Sequence, residues 1–168
     1  MKHNQGFTLI ELLVTMAILG ILAGLAVVGY AAFTEAARLN SAAREMKARV
    51  ELAKLQAIRR RAPVAMTFTT GVGNASQYTL FVDNGATTKT HDSGEEIIQS
   101  GSMPDNINLA AVSFPGGALR FNTVGLPENS SGAIEIRNAN ASKYRRINLG
   151  AAGTVKLEVS SDGTTWRE

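Results

Sequence analysis

The chain has 168 residues and no internal repeat, which points to one domain beyond a candidate membrane segment, and its formal net charge is a mild +3. It contains no cysteine, so disulfides and thiolate metal sites are excluded. The small positive charge permits an acidic or nucleic-acid partner without requiring one.

The first predicted element is a long apolar helix that follows a short polar leader. Residues 12–33 contain no charge and no proline, and they meet the roughly 20 residues needed to cross a ~30 Å hydrocarbon core. This run predicts a transmembrane segment. Gly20 and Gly24 within it have two interpretations that stay open, a close contact face between helices or a place where the helix loosens.

Glu11 is the only charged residue between Gly6 and Glu35. A carboxylate within lipid costs about 2.5–3.5 kcal/mol, which makes Glu11 a functional candidate that calls for a cationic partner. If the chain is cut after Gly6, the new amine lies on Phe7, four residues before Glu11 on the same helical face. The dipole and unpaired N–H groups of a helix N-terminus also favour an anion there. We expect Glu11 to pair with the amine of its own chain or of a neighbouring subunit during assembly.

This N-terminal pattern resembles the type III signal of type IV pilins and type II secretion pseudopilins. The resemblance rests on Gly6, Phe7, Glu11 and the apolar run that follows them. It implies that a membrane-embedded prepilin peptidase cuts after Gly6 and methylates the new amine of Phe7. The alternative is an ordinary secretory signal, whose apolar core is only about 7–15 residues and which predicts a mature N-terminus near Ala32.

Residues 34–62 continue the helix with an amphipathic pattern. Apolar side chains recur there at three- and four-residue steps between charged ones, so one face is suited to packing. Pro63 supplies a stop signal. The pattern predicts a single helix from about Phe7 to about Arg61.

Beyond Pro63 the sequence changes to short β-rich segments separated by turn-forming residues. It predicts a compact β domain over residues 63–168, closed against the apolar face of the helix. The weakest region is the polar stretch 85–106, which offers one short candidate strand at residues 96–98. The other predicted strands are residues 64–68, 78–82, 118–121, 133–136, 146–149 and 155–159.

A second resemblance narrows the first. The basic end of the helix before Pro63-Val64, the run Phe121-x-x-x-Gly125-x-Pro127 and the run Arg146-Ile147-x-Leu149 are similar to the GspH/FimT group of minor pseudopilins and minor pilins. This resemblance implies an α+β, pilin-like fold. In that fold one long N-terminal helix, with a transmembrane first half, packs against a C-terminal antiparallel β domain.

The two resemblances together imply a domain order and a cellular location. The implied segments are a leader (1–6), the transmembrane half of the helix (7–33), its amphipathic half (34–62) and a periplasmic β-rich head (63–168). The chain is then a single-pass protein of the bacterial inner membrane with its leader in the cytoplasm. The cations Arg38, Arg44 and Lys47 favour the opposite orientation under the positive-inside rule, and the leader resemblance outweighs them.

The resemblance also implies a non-enzymatic filament subunit that acts in filament initiation or tip assembly and in protein secretion. Its implied partners are other pilin or pseudopilin subunits, the prepilin peptidase and an inner-membrane assembly platform. Assembly places the subunit in a periplasmic or cell-surface filament.

The residues themselves give little support to catalysis or metal binding. His91, Asp92 and Ser93 bring three triad residue types together, but neighbours within one loop rarely reach the working geometry. Of the two histidines, His3 would be removed with the leader, and His91 with scattered carboxylates lacks the spacing of a metal site. We therefore expect no enzyme activity, no metal and no cofactor.

A basic cluster near the C-terminus keeps one alternative open. Lys143, Tyr144, Arg145 and Arg146 combine three cations with an aromatic ring, and together with Arg167 they are candidates for contact with nucleic acid. Some DNA-binding members of the group resemble one another in a Gly-Arg-x-Arg element, which this sequence lacks. The alternative function is a DNA-binding minor pilin of a competence pilus, and the structural alternative is a solvated hairpin.

Overall fold

The structure is a computed structural model that describes residues 7–128 and 131–168, with the backbone alone for residues 26–29 and 31–32. Gly6, one half of the predicted processing junction, lies outside the described residues, as do residues 129–130 of a predicted turn. The chain divides between Ala37 and Arg38 into two compact units.

One long helix, α1, runs from Leu9 to Arg60 and confirms the predicted single helix to within two residues at its start and one at its end. Arg61 follows it with a φ of 52°, a left-handed conformation that ends the helical path. Among the residues that the structure describes, no helical stretch combines the length and the apolar character needed to cross a membrane. The span predicted over residues 12–33 includes side chains outside the described set, and it stays a prediction.

The second unit places two antiparallel sheets against the last part of α1. The first sheet has the order β3-β2-β1-β5 and the second has the order β4-β6-β7-β8. The strands are β1 Val64–Thr69, β2 Gln77–Val82, β3 Ile97–Ser102, β4 Ile107–Val112, β5 Ala118–Phe121, β6 Gly132–Asn138, β7 Tyr144–Leu149 and β8 Val155–Ser160. This arrangement confirms the predicted α+β fold.

The core lies between the helix and the inner faces of both sheets. The buried helix face repeats at three- and four-residue steps and is rich in alanine, which lets the sheets approach the backbone closely. Burial of each large aliphatic side chain contributes about 1.5–3 kcal/mol. The helix residues of this core are Leu39, Ala42, Ala43, Met46, Val50, Ala53 and Ala57, and they meet strand residues such as Met66, Leu80, Phe121, Ile134 and Ile147.

The strands predicted around β3 and β4 were wrong in extent and number. β3 extends to Ser102, well past the predicted residues 96–98, and β4 was not predicted at all. Three consecutive residues of β4, from Ile107 to Leu109, are buried, so the alternation that marks a half-buried strand is absent. The buried Asn108 side chain accepts a hydrogen bond from the Gly73 N–H at 2.9 Å, which supplies a partner for its oxygen.

A buried ion-pair cluster joins the ends of β2 and β5. Asp83 has a fully buried side chain, and its Oδ2 accepts a hydrogen bond from Arg120 Nε at 2.5 Å and another from the Lys89 N–H at 2.9 Å. Arg120 also pairs with Glu128 and donates to the backbone oxygen of Asp83 at 3.2 Å. The guanidinium therefore holds two carboxylates and a carbonyl at the edge of the first sheet.

The loop between β5 and β6 lies against α1 at Gly125. Gly125 has a φ of 78°, and an added Cβ would lie 2.6 Å from Ile58 Cδ1 and 2.8 Å from Ile58 Cγ1. Nearby, Lys54 Nζ donates to the carbonyl of Gly153 at 3.0 Å. These contacts give a physical reason for Gly125 in the run Phe121-x-x-x-Gly125-x-Pro127.

We expect Gly125→Ala to destabilise the protein by about 2–4 kcal/mol, since it adds a collision with Ile58 to roughly 1–2 kcal/mol of backbone strain. The measurement is denaturant unfolding of the full chain in mild detergent, followed by the fluorescence of the single tryptophan, Trp166. The control is Gly116→Ala, because Gly116 has a similar φ of 76° and no atom within 4 Å of an added Cβ. Equal losses in the two variants would show that the Ile58 contact is unimportant.

Candidate functional site

The first candidate site is the start of α1, where Thr8 and Glu11 bind each other reciprocally. The Thr8 N–H donates to Glu11 Oε2 at 3.2 Å, and the Glu11 N–H donates to Thr8 Oγ1 at 3.3 Å. The Thr8 hydroxyl also donates to Glu11 Oε2 at 3.2 Å. This is a capping box, in which a threonine and the acid three residues later satisfy the unpaired N–H groups of the helix start.

The capping box changes the interpretation of Glu11. The sequence predicts a cation as the partner that this carboxylate needs, and the N–H groups of a helix start also favour an anion. The structure shows such hydrogen-bond donors from the same chain. The Thr8-x-x-Glu11 spacing was visible in the sequence and was overlooked. Glu11 nevertheless lies at the helix start, and Phe7 is 89% exposed beside it. The predicted pairing of Glu11 with the amine of Phe7 stays a prediction.

The second candidate site is the basic cluster around β7, and the strand separates its members. Side chains alternate between the two faces of a strand, so Arg145 and Arg146 point to opposite sides of the second sheet. Tyr144 shares the outer face with Arg146, and an added Cβ at Gly163 would lie 3.1 Å from its ring. The five residues predicted to act together therefore belong to two different surfaces.

Arg146 is held by a polar network on the outer face. Its Nη2 lies 2.6 Å from Glu135 Oε1, its Nη1 lies 3.9 Å from Glu158 Oε2, and its guanidinium carbon lies 3.9 Å from the centre of the Trp166 ring. The registers β6–β7 and β7–β8 place Glu135 and Glu158 directly opposite Arg146. Two carboxylates and an aromatic face thus occupy Arg146 within its own chain.

Arg145 points to the other face and contacts the helix. Its Nε donates to Asn40 Oδ1 at 2.8 Å, and its Nη1 donates to the carbonyl of Tyr144 at 2.7 Å. Burial lowers the pKa of Arg145 below its ordinary value. No ion pair among the described residues includes this guanidinium.

Arg145 lines a cleft of about 470 Å³, which we call the basic cleft, together with Lys143 and Arg167. Arg167 is placed by backbone hydrogen bonds of 2.7 and 3.0 Å to Val159, which set the C-terminal segment beside β8. The rest of the lining is Val159, Ser160, Ser161, Asp162 and Thr165. The basic cleft brings together three of the five predicted nucleic-acid residues and leaves out Tyr144 and Arg146.

Among the described residues that line the basic cleft, Asp162 is the only acid, and its Oδ1 already accepts hydrogen bonds. Oδ1 accepts hydrogen bonds from the N–H groups of Thr165 and Thr164 at 2.8 Å each, and from the Ser160 hydroxyl at 2.7 Å. The bonds from Thr165, Thr164 and Ser160 lower the pKa of Asp162. The Asp162 carboxylate therefore closes the turn after β8 and forms no ion pair with the three cations.

Residues 42–153 match the family described as type II transport protein GspH. Residues 1–27 match the prokaryotic N-terminal methylation motif. The chain is also 44% identical over 94 residues to the pilin-like protein PilA1 of Thermus thermophilus. That alignment covers 55% of this chain and 56% of the relative, so the chain matches about half of the length of that protein.

Two solved structures share the fold. The type IV minor pilin FimU of Pseudomonas aeruginosa superposes with a TM-score of 0.57 at 17% identity, over 81% of this chain and 97% of FimU. The minor pseudopilin EpsH from the type 2 secretion system of Vibrio cholerae superposes with a TM-score of 0.52 at 13% identity, over 71% of this chain and 95% of EpsH. At these identities the likeness concerns the fold alone.

Proposed function

Because the chain belongs to the GspH family, within the type IV pilin and pseudopilin superfamily, we propose that it is a minor pseudopilin or minor pilin that acts in filament initiation or tip assembly. The observation that carries the proposal is the presence of two matches on one chain. The methylation motif covers residues 1–27, and the GspH region covers residues 42–153. A chain that combines an N-terminal methylation motif with a pilin-like head is typical of a filament subunit that is anchored in a membrane.

The proposed location is the bacterial inner membrane, crossed once by residues 12–33. The uncharged length of this run supports the proposal, since it meets the roughly 20 residues that a spanning helix requires. From Leu9 to Leu25, Glu11 and Thr15 are the polar residues, and every large aliphatic side chain is more than half exposed. In the proposed cycle this surface moves from lipid into a bundle of like helices, so its burial changes little on assembly.

The proposed partners follow from the same cycle. A prepilin peptidase cuts after Gly6 and methylates Phe7, and an inner-membrane platform then delivers the subunit to other pilin-like subunits. Glu11 meets the methylated amine of its own chain or of a neighbour.

The direct test is intact-mass analysis and N-terminal sequencing of the protein extracted from the membranes of its native host. We expect a chain that begins at Phe7 and carries one additional methyl group. A mature N-terminus near Ala32 would instead identify an ordinary secretory signal and a released β domain. Recovery of the uncut chain from membranes of a host that has an active peptidase would also contradict the proposal.

The nucleic-acid alternative has one supporting observation, the three cations that line the basic cleft. The structure separates these cations from the aromatic ring that was expected to stack on a base, because Tyr144 and Arg145 lie on opposite faces of β7. Nucleic-acid contact by Lys143, Tyr144, Arg145, Arg146 and Arg167 therefore stays a prediction, and we rank it below the filament role.

A further inference from the structure

We propose that the basic cleft binds the phosphate headgroup of an anionic phospholipid in the membrane that holds the subunit before assembly. The proposal rests on the proposed function, since it requires the chain to be anchored in a membrane. Lys143, Arg145 and Arg167 supply the cations. The binding partner is the lipid headgroup. It dissociates from the basic cleft when the subunit leaves the membrane and enters a filament.

The first argument is that the three cations of the basic cleft outnumber its one acid, Asp162, and form no ion pair with it. Lys143, Arg145 and Arg167 belong to none of the ion pairs formed among the described residues. Six other cations of the same unit are paired, namely Lys47, Arg49, Arg60, Arg120, Arg146 and Lys156. Three unpaired cations thus converge on one concave surface, where mutual repulsion favours an external anion.

The second argument is that one of these cations is fixed in place. Asn40 and the Tyr144 carbonyl hold two nitrogens of the Arg145 guanidinium, and neither partner neutralises its charge. A fixed, partly buried guanidinium binds phosphate well because its planar donors match the phosphate oxygens. The flanking Lys143 and Arg167 add charge without having to rearrange any ion pair. The volume of about 470 Å³ falls within the range of about 300–1,000 Å³ that is typical of small-ligand sites.

The third argument is the position of the basic cleft along the chain. Arg145 contacts Asn40, which follows the end of the apolar run at Phe33 by seven residues. Seven residues span at most about 25 Å even when fully extended, and the headgroup layer adds about 5–8 Å to each side of the hydrocarbon core. Asn40, which holds Arg145 beside the basic cleft, is therefore tethered no more than about 25 Å from the edge of the hydrocarbon core in a membrane-inserted chain, so the headgroup layer is accessible to the basic cleft.

The arrangement suits a lipid better than nucleic acid. Arg146 is neutralised on the opposite face and Tyr144 shares that face, so neither can extend the basic cleft into a track for a nucleic-acid backbone. The basic cleft alone offers three cations, which matches one phosphate group more closely than a row of phosphates. At a membrane surface that carries anionic lipids, each nearby lysine or arginine contributes about 1 kcal/mol to binding.

The test measures binding of short-chain phosphatidylglycerol to the full chain in neutral detergent by native mass spectrometry. Phosphatidylcholine serves as the zwitterionic comparison. We expect the wild type to prefer phosphatidylglycerol, and Lys143→Gln combined with Arg167→Gln to weaken that binding by about tenfold or more. The matched control is Arg59→Gln with Arg61→Gln, which removes the same charge from two exposed cations at the end of α1. The control should bind like the wild type.

Each other outcome has a defined meaning. Equal binding of the two lipids, or equal loss in both double variants, would overturn the proposal. Inorganic phosphate that competes at the same concentration as the lipid would assign the basic cleft to free phosphate. If a DNA oligonucleotide binds more tightly than the lipid, and only the Lys143→Gln and Arg167→Gln double variant loses that binding, the basic cleft is a nucleic-acid site and the lipid proposal is wrong.

The N-terminus of the purified chain distinguishes a failure of the lipid proposal from a failure of the proposed function. A chain that is extracted from membranes with Phe7 as its N-terminus and shows no preference for phosphatidylglycerol would contradict the lipid site alone. A chain that is released from membranes with an N-terminus near Ala32 would contradict the filament role as well.

Discussion

Arg120→Met should destabilise the protein by about 3–5 kcal/mol, among the largest losses expected for a single exchange in the head. Arg120 is the only cation that pairs with Asp83 among the described residues, and the Asp83 side chain is fully buried. Removal of the guanidinium leaves this carboxylate with the Lys89 N–H as its remaining donor at Oδ2. Asp83 Oδ1 already has no hydrogen-bond partner among the described residues, so nothing compensates for the lost charge.

The measurement is denaturant unfolding of the full chain in mild detergent, followed by Trp166 fluorescence. The control is Lys156→Met, which breaks the exposed ion pair with Glu168 and should cost no more than about 1 kcal/mol. In an Asp83→Asn background the Arg120 exchange should cost much less, because the buried charge is gone. An unchanged cost in that background would show that Arg120 stabilises the head through Glu128 or through packing, and not through the buried charge of Asp83.

The sequence predicted the elements whose local pattern matches their environment. α1 has a continuous amphipathic stripe with a stop signal at Pro63, and its observed end lies one residue from the predicted one. Strands such as β6 and β7 alternate clearly and were predicted with boundaries within two residues. These elements follow from periodicity because each packs one face more deeply than the other.

β4 was not predicted because its burial does not alternate along the strand. Its first three residues are buried, including the polar Asn108, and its pairing with β6 shifts register between Leu109 and Ala111. A buried asparagine resembles a loop residue until its partner, the Gly73 N–H, is known. Such a partner 35 positions away in the sequence is a property of the fold and not of the segment.

At the candidate sites, too, features that depend on neighbouring residues could be predicted from the sequence, and features that depend on strand pairing could not. The Thr8-x-x-Glu11 capping box is local and could have been identified from spacing alone. The neutralisation of Arg146 by Glu135 and Glu158 depends on strand order and register, which no local pattern gives. Alternation along β7 does indicate that Arg145 and Arg146 face opposite ways, so the basic cluster should have been divided at the start.

Glu11→Gln should reduce incorporation into filaments or tip complexes by roughly tenfold or more, because a charge-assisted hydrogen bond contributes about 1.5–3 kcal/mol. Glutamine is also accepted as the third helical residue of a capping box, so this exchange removes the charge and keeps the cap. Glu11→Ala removes both. If pairing with the Phe7 amine is the function of the carboxylate, the two variants should be equally defective, while cleavage after Gly6 continues.

Thr8→Val completes the design, because it removes the hydroxyl that caps α1 and leaves the Glu11 charge in place. We expect this variant to incorporate within a fewfold of the wild type, since loss of a cap costs only about 1 kcal/mol. Incorporation is measured by quantitative immunoblotting of the subunit that co-purifies with its pilin-like partners, and N-terminal sequencing verifies cleavage in each variant. If Glu11→Gln incorporates normally while Thr8→Val and Glu11→Ala are both defective, Glu11 acts in helix capping. The predicted pairing of Glu11 with the Phe7 amine would then be wrong.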